Sequence, residues 1–285
     1  MYKILHEQKY HVIKKVDNGL DRHIILILEK NDKKYFYKEL NNEDSSRFEE
    51  QIAFQYRVEE SKSKIILPKL FDYDLKSERK WGLWEYLPGK HLADWQSRNV
   101  ENLEKWLEPI VDVLIELEKI KPFKEEYDIT DRLILRVNQW TEEPIKEGLL
   151  TLQDRNKVIN LIEKNRQNIV VGFSHTDFTP WHMHEIKFPK FALVDYENCK
   201  NKPKFYDLAY FYQRVYTKLD APELAENFLK IYKSKAKMPG DFENRFLPIL
   251  GQRIIGGFYD CLVLKDRTDI EVHNKLLGNL FRSIK

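Results

Sequence analysis

Glycine and proline are scarce in this sequence. Ten glycines and eleven prolines among 285 residues fall well below the roughly 12 % that the two supply together in an average chain. Aromatics are plentiful, with 6 Trp, 15 Tyr and 16 Phe. That combination excludes disordered and collagen-like classes. Two cysteines, Cys199 and Cys261, make no disulfide framework and fit a reducing compartment. Charge of one sign is lacking too: 48 Lys plus Arg stand against 46 Asp plus Glu. Nothing global draws the chain to nucleic acid. The longest apolar run near the N-terminus is Ile24 to Leu28, far short of the roughly 20 residues of a membrane span. The opening Met1 to Glu7 has no apolar core of a signal peptide. The expectation is a cytoplasmic protein with no nucleic-acid partner and no membrane span. Nothing in the sequence sets its oligomeric state.

The shortage of glycine also constrains chemistry. No Gly-x-Gly-x-x-Gly occurs. The nearest approach to a P-loop is Gly251-Gln252-Arg253-Ile254-Ile255-Gly256-Gly257-Phe258. Gly257 stands where a lysine must reach the phosphates, and Phe258 where a hydroxyl must meet magnesium. A P-loop and a Rossmann site are therefore excluded. Any nucleotide must be held in another way.

The length accommodates one large domain or two small ones. Residues 1–90 read as strand-rich. His23 to Leu28 is a β-branched and apolar run, 31–34 a polar turn, and Tyr35-Phe36-Tyr37 a second strand. Glu43 to Glu59 reads as a helix with Ser45 or Ser46 as candidate cap. Its apolar stripe is Phe48, Ile52, Ala53 and Tyr56. Ile65 to Tyr73 and Trp81 to Leu87 suggest further strands, closed by the turn Pro88-Gly89. Beyond it the pattern turns helical. From Asn102 to Lys119 the apolar residues Leu103, Trp106, Leu107, Ile110, Val111, Leu114 and Leu117 repeat at a helical period. Helices are also expected at 133–140 and 150–164, and in four pieces from Tyr206 onward. Ile169 to Phe173 and Phe191 to Val194 read as short strands. The order predicts an α+β chain of two lobes, 1–88 and 89–285.

Three acidic segments carry the chemistry. Ser174-His175-Thr176-Asp177-Phe178-Thr179-Pro180-Trp181-His182 lies between two short strands. Leu193-Val194-Asp195-Tyr196-Glu197 follows, then Phe205-Tyr206-Asp207. Each acid sits just after an apolar run, and strand ends deliver side chains to a cleft mouth. Carboxylate oxygens there suit magnesium, which keeps several waters and binds through one or two carboxylates plus phosphates. A separate carboxylate beside an acceptor hydroxyl orients it and takes its proton.

These segments resemble the aminoglycoside phosphotransferase and choline kinase family, whose fold is protein-kinase-like and bilobal. The family's catalytic loop reads His-Gly-Asp-x-x-x-x-Asn, followed by a strand ending in Asp-x-Glu or Asp-x-Asp. The resemblance implies that Asp177 is the catalytic base and that Asp195 binds magnesium. It gives His175 and Asp207 a loop-bracing role. It implies that Lys38, ending Tyr35-Phe36-Tyr37-Lys38, holds the α and β phosphates of ATP. Glu49, or Glu50 less well, would pair with that lysine, because Glu49 has apolar neighbours at +3, +4 and +7. Glu85, Tyr86 and Leu87 would offer backbone groups to adenine, and the turn with Gly19 would cover the phosphates. On this reading 1–88 is a nucleotide-binding lobe with one key helix. Residues 89–285 are a larger, mainly helical catalytic and acceptor-binding lobe.

The sequence departs from the family pattern in two places. The loop's usual Asn is His182, and its Gly is Thr176. Imidazole is a poor magnesium ligand and suits softer metals. His182 therefore implies one metal, a taste for manganese, a water-mediated contact or lost activity. Glu197 is a second metal ligand or a surface acid. A zinc reading of His175, His182 and His184 lacks nearby cysteines. Trp181, Phe205, Tyr206, Tyr210, Phe211 and Tyr212 read as core, with a minority lining an acceptor site. Cys199 reads as a buried small hydrophobe.

The implied activity is transfer of the ATP γ-phosphoryl group to a hydroxyl of a small molecule, with magnesium or manganese. The acceptor is a sugar, a glycolipid precursor, an amino-alcohol or an antibiotic. Residues 201–285 hold 15 Lys plus Arg and 10 Asp plus Glu, which favours a neutral or anionic acceptor over a polycation. The alternatives are a non-catalytic nucleotide-binding pseudokinase, motivated by His182, and a protein kinase. Against the latter, the chain lacks the His-Arg-Asp, Asp-Phe-Gly and Ala-Pro-Glu segments.

Overall fold

A computed structural model describes residues 9–16, 23–40, 45–77, 79–123 and 128–284. The chain divides into two compact units, 1–90 with 184–199, and 91–183 with 200–285. The first unit thus takes in a second stretch of chain beyond the Pro88-Gly89 turn.

In the first unit, five strands form one antiparallel sheet: β1 (His11–Val16), β2 (His23–Lys30), β3 (Lys33–Leu40), β4 (Leu70–Asp74) and β5 (Trp81–Glu85), in the order β1-β2-β3-β5-β4. The polar turn between β2 and β3 is only Asn31-Asp32, both left-handed at φ 53° and 58°. Two such residues make the primed turn whose twist matches a hairpin. Strand alternation sets the two faces of β3. Tyr37 joins Leu26, Leu28 and Leu83 on one face. Phe36, Lys38 and Leu40 lie on the other, where Leu40 packs with Phe48, Ile52 and Trp84. Lys38 is therefore fixed on the face covered by helix α1 (Ser45–Glu60). Opposite it in the register is Gly82. A Cβ there would lie 2.9 Å from the Phe48 ring, so a larger residue would push α1 off the sheet.

Helix α1 corrects the expected stripe. Its buried residues are Phe48, Gln51, Ile52, Phe54, Gln55 and Val58, whereas Tyr56 is exposed. Two glutamines occupy core-facing positions, which apolar periodicity cannot reveal. The helix is rotated accordingly, and Glu49 lands on the outer side. Residues 65–68, expected as strand, form none, and the strand β1 was not anticipated. Two more strands, β6 (Val171–Ser174) and β7 (Met183–Lys187), precede β8 (Lys190–Leu193), which pairs with β7.

The second unit holds β6, which pairs antiparallel with β9 (Lys200–Pro203), and, among the described residues, seven α-helices. These are α2 (Leu103–Leu117), α3 (Ile129–Lys146), α4 (Leu152–Lys164), α5 (Tyr206–Thr217), α6 (Pro222–Lys235), α7 (Phe242–Val263) and α8 (Ile270–Ser283). All seven apolar positions read for α2 are buried, each contributing about 1.5–3 kcal/mol relative to exposure. Asp128 caps α3 through the Thr130 amide at 2.7 Å, and Thr151 opens α4 with a capping box. Every residue of α5 is buried, including Tyr206, Tyr210, Phe211 and Tyr212, as the core reading expects. Gly251, Gly256 and Gly257 lie inside α7, in regular helix with no loop to cradle phosphate. Among the described residues, α7 is long and apolar enough to cross a membrane, but 72 % of its apolar window is buried within the protein, as in a core helix.

Candidate active site

In the first unit the chemistry gathers on Lys38. Its side chain comes off the central strand of the sheet and is only 5 % exposed. A buried ammonium needs a compensating charge. Lys38 Nζ has one in Glu197, with which it forms a close ion pair, and a second in Asp195, whose Oδ1 is 3.9 Å away. Both acids follow β8. Tyr196 between them is buried, packs on Phe54 at 5.2 Å and donates its hydroxyl to Gln55 Oε1 at 2.7 Å. The Leu193 amide donates to the Ile66 carbonyl at 2.9 Å. The 195–197 segment is thereby anchored to α1 and the loop before β4, which brings both acids to the lysine.

This arrangement revises the sequence reading. Glu49 pairs with Lys80 at 2.6 Å and its side chain is 56 % exposed, because α1 is rotated about its buried glutamines. Glu50, the second choice, is more buried than Glu49. Glu197, expected as a metal ligand or a surface acid, is engaged by the lysine. Asp195 remains the better metal candidate. Its side chain is 47 % exposed and its backbone is left-handed at φ 58°, which holds a hydrated, hard carboxylate beyond the strand end. That donor fits magnesium.

At the other end of β5, the Glu85 amide donates to the Lys69 carbonyl at 2.8 Å, and its carboxylate accepts from the Lys69 amide at 3.3 Å. Tyr86 and Leu87 then leave the ladder, with the Tyr86 ring 5.9 Å from Lys34 Nζ. The turn ends at Gly89, φ 133°, where a Cβ would meet the Glu185 carbonyl at 2.9 Å. Gly19 lies outside the described residues.

In the second unit the loop after β6 carries Asp177. Its frame is Asp207, buried in the first turn of α5. The carboxylate accepts from Ser174 Oγ at 2.7 Å, the His175 amide at 2.8 Å and the Thr176 amide at 2.9 Å. Burial pushes its pKa up to about 6, against the pull of those donors. Thr176 adopts φ 68°, the kink a glycine would take more cheaply. His175 is fully buried, and its Nδ1 accepts from the Asp177 amide at 3.3 Å. Phe178 and Thr179 are buried beyond it, so the loop is pinned on both sides of Asp177. The Asp177 carboxylate itself is partly exposed.

His182 closes the loop. Its Nδ1 lies 3.0 Å from the Asp177 carbonyl and 3.1 Å from Thr179 Oγ1, and 3.6 Å from the Asp177 carboxylate. Donation from Nδ1 to the carbonyl turns that nitrogen into the loop and leaves Nε2 as the ring's lone-pair nitrogen. As a metal donor, His182 therefore offers one borderline nitrogen. His184 is half-buried, and desolvation holds its pKa below the usual range. Sequence reasoning missed Ser174 as an Asp207 partner, and Glu197 as the partner of Lys38.

A β-sheet unit with a buried, acid-paired lysine and a helical unit with a braced aspartate loop define a kinase-like phosphotransferase. The sequence profile of the Phosphotransferase enzyme family (APH) matches residues 13–243, and the chain belongs to that family. No curated protein matches it in sequence. Among solved structures, aminoglycoside phosphotransferase APH(4)-Ia is similar at TM-score 0.68 and 11 % identity, over 98 % of this chain and 96 % of that one. The choline kinase LicA from Streptococcus pneumoniae is similar at TM-score 0.63 and 15 % identity, over 98 % and 96 %. The aminoglycoside 2'-phosphotransferase-IIIa, in its GDP complex, is similar at TM-score 0.64 and 12 % identity, over 99 % and 97 %. These likenesses establish the protein-kinase-like α+β fold that the motifs implied. Neither the pseudokinase nor the protein-kinase alternative gains support from them.

Proposed function

We propose that this enzyme transfers the γ-phosphoryl group of ATP to a hydroxyl of a small molecule. The observation that carries the reading is the Asp177 loop, braced on both sides and presenting one partly exposed carboxylate. Asp177 orients the acceptor hydroxyl and accepts its proton. Lys38, kept in place by Glu197, holds the α and β phosphates, and the backbone of Tyr86 and Leu87 meets the base. Asp195 would hold the magnesium or manganese ion, with His182 Nε2 as a softer donor. When bound, the metal neutralises charge on the phosphates. Positioning and fixed charge supply most of the rate in such transfers.

Residues 1–88, joined by the segment bearing Asp195 and Glu197, serve as the nucleotide-binding lobe. Residues 89–285 otherwise serve as the catalytic and acceptor-binding lobe. Cys199 and Cys261 are both buried free thiols, which supports a reducing, cytoplasmic setting. The aminoglycosides and choline in the names of the similar structures belong to those proteins. Here a sugar, a glycolipid precursor, an amino-alcohol or an antibiotic is the range of acceptors that the hydroxyl chemistry allows.

The Asp177→Asn variant tests the reading. Turnover should fall at least about 100-fold, while calorimetry shows ATP affinity within a few-fold of the parent. Equal turnover would remove Asp177 from the base role.

A further inference from the structure

The second unit contains more buried positive charge than its own acids neutralise. Lys202 on β9, Arg214 on α5 and Arg253 on α7 gather around the rings of Tyr206, Tyr210 and Trp140. Arg214 is paired, with Asp260 at 2.6 Å and the Tyr210 hydroxyl at 3.1 Å. Arg253 is only 4 % exposed, yet no carboxylate lies within ion-pair distance of it among the described residues. It donates once, from Nη1 to the Tyr206 hydroxyl at 3.1 Å, and its buried Nε has no partner. Its guanidinium sits 4.4 Å from the Tyr210 ring, 5.4 Å from Trp140 and 5.6 Å from Tyr206. Rings satisfy the faces of a guanidinium and leave its in-plane donors unspent. Lys202, half-buried on β9, has its Nζ 4.8 Å from the Tyr206 ring, and that Nζ makes no ion pair or hydrogen bond among the described residues. Burial first, then Lys200, Arg253 and Arg136, lower its pKa to about 7.

The acids nearby are already committed. Asp207 accepts three hydrogen bonds in the loop, and Asp260 holds Arg214. Tyr206 directly precedes Asp207, which braces the loop that carries the proposed base Asp177, so the cluster and the base share one frame within the same unit. A buried, uncompensated cation costs several kcal/mol in an isolated protein. Buried Arg253, with half-buried Lys202 on the same Tyr206 ring, calls for a counter-charge from outside the chain.

We propose that Lys202 and Arg253 form a subsite for an anionic group, a carboxylate or a phosphate, carried by the acceptor. The proposal rests on the reading of Asp177 as the base, which places the acceptor beside this cluster. Arg253 supplies the fork of in-plane donors that matches two oxygens, and Lys202 a point charge. The subsite favours an acidic sugar or a sugar phosphate and disfavours polycations.

The test is calorimetric, on the full chain saturated with AMP-PNP and magnesium so that the nucleotide site is filled. The probes are inorganic phosphate and glucuronate, with glucose as the neutral control. At least one anion should bind and glucose should not. Phosphate alone would assign a phosphate group, and glucuronate alone a carboxylate. Lys202→Met should weaken anion binding about 10-fold or more, the worth of one charge-assisted hydrogen bond, with AMP-PNP affinity unchanged. Arg253→Gln should do the same. If that buried change unfolds the protein, Lys202→Met, at a partly exposed strand position, decides alone. Binding of neither anion, or anion binding undiminished in Lys202→Met, would overturn the proposal. Anion binding that depends on Lys202 in a protein that transfers no phosphoryl group would leave the subsite standing and sink the kinase reading.

Discussion

Replacing Asp207 with alanine should loosen the Asp177 loop and lower stability by an amount that grows as pH falls. The carboxylate is the shared acceptor for Ser174 Oγ, the His175 amide and the Thr176 amide, at 2.7, 2.8 and 2.9 Å. Its loss leaves three buried donors unsatisfied, each costing about 1–2 kcal/mol, or ~3–6 kcal/mol together. Against this, the parent bears the cost of an ionised acid in the core. Its pKa is raised from 3.8 to about 6, chiefly by burial, worth about 3 kcal/mol at pH 7. The net loss at pH 7 is therefore about 0–3 kcal/mol. A raised folded-state pKa means the penalty is full above about 6 and is relieved as pH falls toward 3.8. The parent gains that relief and the variant does not. The stability gap should thus widen by about 2 kcal/mol between pH 7 and pH 4.5. Urea denaturation followed by tryptophan fluorescence at the two pH values measures it, with the slope of the transition checked for constancy. A gap that stays constant or narrows toward acid would refute the reasoning.

Two further outcomes follow from the geometry. Gly89→Ala places a Cβ 2.9 Å from the Glu185 carbonyl at φ 133°. It should destabilise by about 2 kcal/mol or more, seen as a lower thermal midpoint; an unchanged midpoint would mean the turn has room to relax. His182→Asn replaces a borderline nitrogen donor by a hard oxygen. Magnesium-supported ATP turnover should rise about 3-fold or more relative to manganese-supported turnover. An unchanged metal ratio would place His182 outside the metal's reach and leave it the loop-closing role of its Nδ1.

Much of this protein is readable from local pattern. The seven apolar residues of α2, the hairpin of β2 and β3 and the four C-terminal helices follow from periodicity and turn chemistry, because each forms by burying one face over a short span. The acids 177, 195 and 207 are legible because each closes an apolar run. Short strands such as β7 and β9 are not, since their residues, Met183–Lys187 and Lys200–Pro203, carry little β signal and pair only where the tertiary fold supplies a partner. Pairings across long separations are decided by packing alone. The sequence could place Lys38 at a strand end and an acid on the next helix, but it could not show that buried Gln51 and Gln55 rotate α1 and turn Glu49 outward. Nor could it show that Glu197, 159 positions along the chain, returns to neutralise the lysine. The shortage of glycine, by itself, ruled out a phosphate-cradling loop. Only the tertiary structure decided which acid guards the lysine, and only it brought half-buried Lys202 and buried Arg253 to the Tyr206 ring without an acidic partner. Charge neutralisation in a core depends on which side chains meet, and that is a property of the folded chain.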